Sequence, residues 1–549
     1  MSGGKGINMS SKPWLDHYDA DVPKSLVYPE YTIDEILRKT AERFPTRTAL
    51  ICGKSKLNYA DLFTSTVHFS HMLIEKGLKP GNRVGICLPN NIDFVVAFYG
   101  TLMAGGIVAA MNPLYPLAEW QYQAGIAKPA ILIGQMSRNK DLNALGNNIK
   151  CKELFFTNDQ EEGFSLQSTV AEFGSQRYSI NPPPVRENLG AVLQFSGGTT
   201  GSPKAALALH KNVVANVLQF KRWLTTMEDG KEVFLTMIPL YHVYGMVIGL
   251  NVGIAMGATI VLVPDGRDMD KVLRLVPEHG VTFFPGVPSI YNAINHHPRA
   301  LAGEIDLKSI KACISGSAPL PFETRQKFEA LTGGKLVEGY GLSEAPTATH
   351  CNPIQGENRN GSIGLPLPDV DCRIVDLEDD SREVEEGGEG ELLIRSPQIM
   401  KEYFLDPDET AIALKDGWLH TGDIARMDQD GYFYIVGRRK ELIKVNGLQV
   451  WPREIEEVIL RYPGVKEVAA TGVPDLDSGE AVKAWLVIDS NGLFDIQNLA
   501  NFCRKSLAGY KIPKEIEIVQ ALPKTPVGKV LRRELVRMHN EDNNNRERL

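Results

Sequence analysis

The sequence has few cysteines and no excess of positive charge. Its 549 residues include only 7 cysteines, and no two of them are close enough to form a CxxC redox motif or a cysteine-based zinc site. An odd number of scattered cysteines is typical of reduced intracellular thiols. Lys and Arg total 59 against 67 Asp and Glu, a net charge of 59 − 67 = −8, which argues against a general nucleic-acid-binding protein.

The first 24 residues contain charged side chains and no apolar run, so a secretory signal is not expected. At the other end, Glu547 stands where a peroxisomal tripeptide needs a small residue. We therefore expect a cytoplasmic protein. Peripheral contact with the inner face of a membrane and a homodimer are left open.

Two apolar runs, residues 94–111 and 245–264, are long enough to suggest transmembrane helices. Each contains a glycine break at 105–106 or at 257, followed by β-branched residues, and neither is flanked by a Lys/Arg cluster. This pattern favours a buried helix that leads into a buried strand. A membrane lipid carrier is the alternative that these two runs support.

From residue 47 onward, short β-rich runs alternate with helical stretches. Strands are predicted at 83–88, 130–134, 191–195, 281–284 and 310–314, and helices at 91–104 and 213–224. This alternation predicts an α/β fold, in which a large N-terminal domain contains doubly wound, mostly parallel sheets. Active sites in such folds lie at the carboxyl ends of the strands.

The pattern changes after Pro366. Strands at 370–375 and 390–395 have no helix between them, which predicts a β-barrel-like subdomain. A charged segment at 437–441 precedes an amphipathic helix at 451–462 and strands at 467–473 and 482–488. We therefore predict an N-terminal domain at 1–436, a hinge at 437–441 and a small, mobile α+β domain at 442–549.

The segment Ser196-Gly-Gly-Thr-Thr-Gly-Ser-Pro-Lys204 directly follows a predicted strand. Its glycines permit backbone conformations in which successive N–H groups converge on an anion, and its hydroxyls and terminal lysine add donors and charge. That combination suits a polyphosphate. It is not a Walker A loop, because no Gly-Lys-Ser/Thr occurs.

Together with that segment, four further motifs stand in a fixed order. They are Pro239-Leu-Tyr-His-Val-Tyr-Gly-Met246, Val337-Glu-Gly-Tyr-Gly-Leu-Ser-Glu344, Asp416-Gly-Trp-Leu-His-Thr-Gly-Asp423 and Pro523-Lys-Thr-Pro-Val-Gly-Lys-Val-Leu-Arg-Arg533. Over essentially its whole length the chain resembles the AMP-forming adenylating superfamily. Within it, the sequence is most similar to bacterial long-chain fatty acid–CoA ligases.

The resemblance implies a nucleotide site. ATP or AMP would contact residues of the Gly-rich segment, of two strand-end turns and of the domain junction: Ser196, Gly197, Gly198, Thr199, Thr200, Gly201, Lys204, Gly316, Ser317, Ala318, Glu338, Gly339, Tyr340, Gly341, Ser343, Asp423 and Arg438. Tyr340 would stack on adenine, and Asp423 and Arg438 would contact the ribose. Mg²⁺ would be the cofactor, with Glu344 and Thr199 as its ligands. Relatives usually have Asp before Arg438, so Gly437 is expected to loosen the linker.

The resemblance also implies the catalytic groups. Lys529 would stabilise charge during adenylation, and Lys440 would be the hinge about which the small domain rotates to bring Lys444 and Gly447 to the coenzyme A site. His242, Tyr244 and Met246 would border the acyl pocket, with a catalytic role for His242 as well. No Asp follows in this segment to bind an ammonium group, which favours an uncharged, hydrophobic acid over an amino acid.

The implied reaction joins a fatty acid to coenzyme A in two steps through an acyl-adenylate, with ATP and coenzyme A as substrates. A ligase for medium-chain or aromatic, coumarate-like acids and a luciferase-like oxygenase stay open as alternatives. The coumarate-ligase signature is altered here to Gly390-Glu-Leu-Leu-Ile-Arg-Ser396, which weakens the aromatic alternative. No Gly-x-Ser-x-Gly occurs, which argues against a serine hydrolase.

Overall fold

The computed structural model describes residues 12–158, 165–166, 186–195, 204–475, 478–489, 494–525 and 528–546. Two sheets form most of the large N-terminal part. The seven strands of the first sheet, in spatial order, are Glu402–Tyr403, Ala205–Leu209, Gly190–Phe195, Ile107–Ala110, Arg83–Cys87, Ile131–Gln135 and Glu153–Thr157. The last five run parallel to one another. The strand Ala205–Leu209 pairs antiparallel with both of its neighbours, Glu402–Tyr403 and Gly190–Phe195.

The second sheet has two four-stranded halves. Their strands are Ser55–Asn58, Thr48–Cys52, Thr259–Leu262 and Val233–Thr236, then Ala312–Ser315, Lys335–Leu342, Ala345–Cys351 and Leu365–Pro366. Phe283 joins the halves through parallel bridges to Phe234 and Ala312. A strand was predicted at 281–284, but only this one residue forms bridges.

An antiparallel five-stranded sheet follows and corresponds to the predicted barrel-like subdomain. Its strands are Asp371–Val375, Gly390–Arg395, Trp418–Met427, Leu414–Lys415 and Phe433–Arg438. The C-terminal part has its own sheet, made of Leu448–Val450, Ile443–Val445, Gly479–Ile488, Val465–Asp475 and Glu515–Ile518. It also has its own apolar core, which includes Ile455, Ile459 and Leu499.

Within the described residues, helices connect many of the strands. The α-helices are Ile33–Arg43, Tyr59–Glu75, Ile92–Met103, Leu117–Ala127, Asn139–Ile149, His210–Trp223, Gly253–Met256, Met269–His279, Pro288–Asn295, Pro298–Leu301, Phe322–Thr332, Pro407–Ala413, Pro452–Ile459, Ile496–Ser506 and Arg532–Arg546. Gly245–Val252 is a π-helix, and the 3₁₀ turns are Pro13–Asp16, Met136–Arg138, Arg439–Glu441 and Gly509–Lys511. The α/β architecture with a barrel-like subdomain and a small C-terminal domain confirms the predicted fold class.

The two apolar runs are buried helix–strand units, as predicted. In the first run, Asn91 caps the helix Ile92–Met103, whose residues are all buried, and a strand follows the turn at Gly105. In the second run, Gly257 has a φ of 66° and ends the helix just before the strand Thr259–Leu262. These helices have no solvent-facing polar side because the protein surrounds them. Within the described residues, no helix is long and apolar enough to cross a membrane.

Gly437 lies at a close contact between two parts of the chain. It lies in the strand Phe433–Arg438, opposite Ile424, and a Cβ placed on it would lie 2.7 Å from Cε3 of Trp451. The indole of Trp451, which is 6% exposed, therefore packs where a side chain at position 437 would stand. The glycine permits close contact between the large and small parts of the chain.

Candidate active site

A cavity of about 1420 Å³ lies between the two large sheets, the antiparallel subdomain and the C-terminal part. Thirteen of the predicted site residues line it: Lys204, His242, Tyr244, Gly316, Ser317, Gly339, Tyr340, Gly341, Ser343, Glu344, Arg438, Lys440 and Lys529. The predicted residues Ser196, Gly197, Gly198, Thr199, Thr200 and Gly201 lie outside the described residues. The strands on either side of that segment pair with each other, with Phe195 opposite Ala205.

Two strand ends form one wall of the cavity. The strand Ala312–Ser315 ends in a turn where Ser317 has a left-handed φ of 68°, a conformation that non-glycine residues rarely adopt. Beside it, a Cβ on Gly341 would lie 1.6 Å from the carbonyl oxygen of Thr347, so no side chain fits there. The wall is therefore largely backbone. Ala318 is half-buried beside this turn.

Glu338 lies behind this wall and does not line the cavity. Its carbonyl accepts hydrogen bonds from the backbone and side-chain nitrogens of Asn352, and its carboxyl accepts one from the Leu320 N–H. Burial raises the pKa of this carboxyl to about 7, although the charge of Arg453 opposes the rise. Glu338 thus supports the strand from inside.

Asp423 joins Tyr340 to Arg438. Its Oδ2 accepts the Tyr340 hydroxyl at 2.5 Å, and its Oδ1 pairs with Nε of Arg438 at 2.8 Å. The two strands carrying the ion pair are in register at these positions. The Asp423 carboxylate raises the pKa of Arg438, and burial together with that carboxylate raises the pKa of Tyr340. The phenol therefore stays protonated and donates.

Lys529 reaches this cavity from the C-terminal part of the chain. A tight turn presents it, in which the Thr525 N–H donates to the Lys529 carbonyl and Gly528 has a φ of 80°. A Cβ on Gly528 would lie 3.7 Å from Oγ of Ser289, which belongs to the large part. Burial and the positive charge of Arg438 lower the pKa of the Lys529 amine to about 8.

His242 and Tyr244 border the other side of the cavity. Burial and the charge of Lys529 lower the pKa of His242 to about 4, so the ring is neutral at pH 7. Its Nδ1 accepts the Tyr244 N–H at 3.2 Å, which assigns the ring hydrogen to Nε2. The Tyr244 hydroxyl donates to the Ile314 carbonyl at 2.6 Å. Met246 is 2% exposed and belongs to the main core rather than to the cavity lining.

At the end of the cavity where the sequence predicts the phosphates, Lys204 forms an ion pair with Glu409 and lies over the ring of Tyr403, 5.1 Å from its centroid. The Tyr403 hydroxyl donates to Oε1 of Glu344 at 2.7 Å. In the described parts of the chain, no group of three or more His, Cys, Asp or Glu is placed so that it could hold a metal ion. One carboxylate fits Mg²⁺ that is held mainly by phosphate oxygens and water, the mode in which Mg²⁺ accompanies nucleotides.

The segment at 437–441 is tied to both parts of the chain. Arg439 pairs with Glu391 at 2.8 Å and donates to the Leu377 carbonyl, both in the large part. Glu441 pairs at 2.9 Å with Arg532 in the small part. Lys440, between them, is exposed.

The predicted coenzyme A residues lie away from the cavity. Lys444 and Gly447 are exposed on the hairpin formed by Ile443–Val445 and Leu448–Val450, and neither lines the cavity. The Lys444 N–H donates to Glu480 at 2.6 Å.

Sequence reasoning missed Tyr403, Glu409, Glu391 and Arg439, although all four line the cavity. No local pattern marks them, because their partners are distant in sequence: 59 residues separate Tyr403 from Glu344, and 205 separate Glu409 from Lys204.

Comparisons with known proteins agree with this geometry. Residues 37–404 match the family described as AMP-binding enzyme, and residues 454–529 match its C-terminal domain. A protein named long-chain-fatty-acid–CoA ligase from Bacillus subtilis is 39% identical over 97% of this chain and 99% of the relative. One of the same name from Salmonella typhimurium is 35% identical over 95% and 98%. The structure of ATP-bound MatB from Rhodopseudomonas palustris matches with a TM-score of 0.84 and 27% identity, over 93% of this chain and 99% of that one.

Proposed function

The chain belongs to the AMP-binding enzyme family, and from that membership we propose that it is an ATP-dependent ligase that joins a long-chain fatty acid to coenzyme A. The family resemblance found in the sequence is thereby confirmed. The observation that carries the proposal is the shared cavity: Lys529 from the small part and Lys204, Tyr340 and Arg438 from the large part line one space. Asp423, which is 2% exposed, does not line it but accepts the Tyr340 hydroxyl behind the wall. An amine, a guanidinium and a phenol around one space suit a nucleotide and a carboxylate.

The acyl side of the cavity is apolar, which supports an uncharged acid chain. Its lining includes the buried side chains of Phe220, Val243, Ile248, Ile314 and Ala348. A methylene chain placed there would gain roughly 0.8 kcal/mol for each buried CH₂. We propose that His242 and Tyr244 border this pocket, with the Nε2–H of His242 available to donate to the acid carboxylate. Met246 supports the pocket from the core behind it.

In the proposed first step, a carboxylate oxygen attacks the α-phosphorus of ATP, the bond to the β-phosphate oxygen breaks, and pyrophosphate leaves. Lys529 stabilises the charge that develops on the α-phosphate. We propose that Asp423 accepts ribose hydroxyls through acceptor positions other than those that bind Tyr340 and Arg438, since a carboxylate has about four such positions. Adenine would lie against the wall made by Gly316, Ser317, Ala318 and Gly339–Gly341, with Ser343 nearby.

The leaving pyrophosphate needs positive charge and donors. We propose that Lys204 and the Gly-rich segment Ser196–Gly201 supply them, with Glu344 and Thr199 as the ligands of Mg²⁺. Bound Mg²⁺ would neutralise charge on the phosphate oxygens.

In the second step, the thiol of coenzyme A loses its proton to solvent, its sulfur attacks the acyl carbon, the bond to the AMP oxygen breaks, and AMP leaves. Lys444 and Gly447 are outside the cavity, so they could serve this step only after the small part moves. Lys440 is the natural pivot, because Arg439 is tied to the large part and Glu441 to the small part.

The test is product formation by the purified chain. With ATP, Mg²⁺ and coenzyme A, acids of increasing chain length and a coumarate-like acid are compared by release of pyrophosphate and AMP and by acyl-CoA mass. We expect the highest kcat/KM with long chains. Two control reactions detect contamination: one without acid should release no pyrophosphate, and one without ATP should form no acyl-CoA. Absence of AMP with every acid would refute the proposal, and a preference for short or aromatic acids would refute its substrate class.

Three further points stay predictions: a cytoplasmic location, peripheral contact with the inner face of a membrane, and a homodimer. The membrane lipid carrier is disfavoured, because both apolar runs that suggested it are buried helix–strand units.

A further inference from the structure

A short edge strand holds Tyr403 beside the phosphate end of the cavity. Tyr403 pairs with Ala206, and the N–H of Phe404 donates to the Ala205 carbonyl at 2.8 Å. The side chain at 403 is therefore held next to Lys204, at the point where the chain leaves the Gly-rich segment. Tyr403 is 9% exposed, so it is well packed.

The hydroxyl of Tyr403 acts on Glu344. It donates to Oε1 of that carboxylate at 2.7 Å, while the Met400 N–H donates to the Glu344 carbonyl at 2.8 Å. The same short segment thus holds both the backbone and the side chain of Glu344. Arg438 lines the same cavity, and the charge of Glu344 contributes, after that of Asp423, to raising the pKa of Arg438.

The ring of Tyr403 acts on Lys204. The amine lies 5.1 Å from the ring centroid and pairs with Glu409 on the helix Pro407–Ala413. That helix is joined to Tyr403 directly, because the Tyr403 N–H donates to Oγ1 of Thr410 at 2.9 Å. The strand Glu402–Tyr403 and the helix Pro407–Ala413 therefore contact both Lys204 and Glu344. In the proposed reaction, Lys204 faces the negative phosphates and Glu344 binds the Mg²⁺ of the same metal–triphosphate.

We propose that Tyr403 is a positioning residue for adenylation: its hydroxyl holds Glu344 in the orientation that receives the metal-bound triphosphate, and its ring holds Lys204. Without the hydroxyl, Oε1 would lose this hydrogen bond, and we expect the carboxylate to leave its present orientation. This inference rests on the proposed function and on Glu344 as the Mg²⁺ ligand. It makes Tyr403 important for the metal complex of ATP rather than for the nucleoside.

The test is calorimetric binding of ATP and of AMP to the full chain, with excess Mg²⁺ and with EDTA. For Tyr403→Phe we expect the Kd of ATP in Mg²⁺ to rise at least about 10-fold, the lower end of the cost of losing one hydrogen bond to a charged group. ATP in EDTA and AMP in either buffer should bind as in the unchanged protein, because the ring and the ribose contacts remain. Tyr403→Leu should weaken ATP binding in EDTA as well, since it removes the ring beneath Lys204.

Tyr434→Phe is the matched control. The Tyr434 hydroxyl also donates to a carboxylate, Asp428, at 3.0 Å, but neither residue lines the cavity. The control should leave all four affinities unchanged. Equal losses in Mg²⁺ and EDTA, or no loss at all for Tyr403→Phe, would overturn the inference.

A double-variant cycle tests the path through Glu344. If the hydroxyl acts by orienting that carboxylate, Glu344→Gln and Glu344→Gln/Tyr403→Phe should bind ATP in Mg²⁺ equally. A further loss in the double variant would refute the assignment, and this comparison holds even if Tyr403→Phe lowers the melting temperature. The outcome is separate from the proposed function: a chain that makes no acyl-CoA refutes the function, whereas a catalytically active chain with an additive cycle refutes only this inference.

Discussion

The pH dependence of adenylation should reflect the titration of the Lys529 amine. Burial and the neighbouring Arg438 lower its pKa to about 8, whereas Asp423 and Glu441 partly oppose this shift. An unperturbed lysine has a pKa near 10.4, so the free enzyme should lose this charge about two pH units earlier than usual. Only the protonated amine can stabilise a developing negative charge. The value of kcat/KM for ATP should therefore be highest below pH 8 and fall above it.

The magnitude follows from the titration. With a pKa of about 8, the protonated fraction falls from about nine-tenths at pH 7 to about one-tenth at pH 9, so kcat/KM should fall roughly tenfold. Bound ATP adds negative charge and raises the pKa again, so the decline in kcat should begin at higher pH. His242, already neutral because its pKa is lowered to about 4, does not contribute in this range.

The assay is ATP–pyrophosphate exchange with a long-chain acid between pH 6.5 and 9.5. Lys529→Arg keeps its charge throughout, so its profile should lose the alkaline decline even if its rate is lower. Lys529→Ala should reduce adenylation roughly 10²–10³-fold, with thioester formation from supplied acyl-AMP much less affected. Lys514→Ala, which removes an amine from the same domain at a site paired with Asp475, is the control. The same alkaline decline in Lys529→Arg would refute the reasoning.

Two other predictions concern the junction between the two parts of the chain. Lys440→Pro should stiffen the segment between its two anchored neighbours and slow thioester formation at least about tenfold, while the adenylation rate stays within about threefold of the unchanged protein. Lys440→Ala is the control and should leave both rates near those of the unchanged protein. If Lys440→Pro changes both half-reactions equally, Lys440 is not the pivot. Gly437→Ala should displace the Trp451 indole, at a cost of about 1–3 kcal/mol, because the new Cβ would lie 2.7 Å from Cε3. Adenylation, measured by pyrophosphate exchange, should fall more than thioester formation. Gly509→Ala, whose Cβ would meet nothing within 4 Å, is its control, and a normal Gly437→Ala variant would contradict this packing argument.

Much of the fold could be predicted because short-range sequence patterns determine many of its helices and strands. The helix Ile92–Met103 and the strand Arg83–Cys87 lie within a residue or two of their predicted bounds. The strand Ala205–Leu209 was missed, because its five apolar residues run directly into the helix His210–Trp223 without a break. Periodicity does not separate a short apolar strand from the start of a buried helix.

For the candidate site, the sequence predicted which residue types take part and their order along the chain, but not their arrangement in space. By itself the sequence determined the family, the α/β architecture and the residue types suited to a nucleotide and a carboxylate, because these depend on spacing and side-chain chemistry. Only the tertiary structure decided that Lys529 lies near Arg438 and that the Tyr403 hydroxyl donates to Glu344. Such contacts join residues far apart in the chain, and packing between separately folded parts, rather than any local pattern, brings them together.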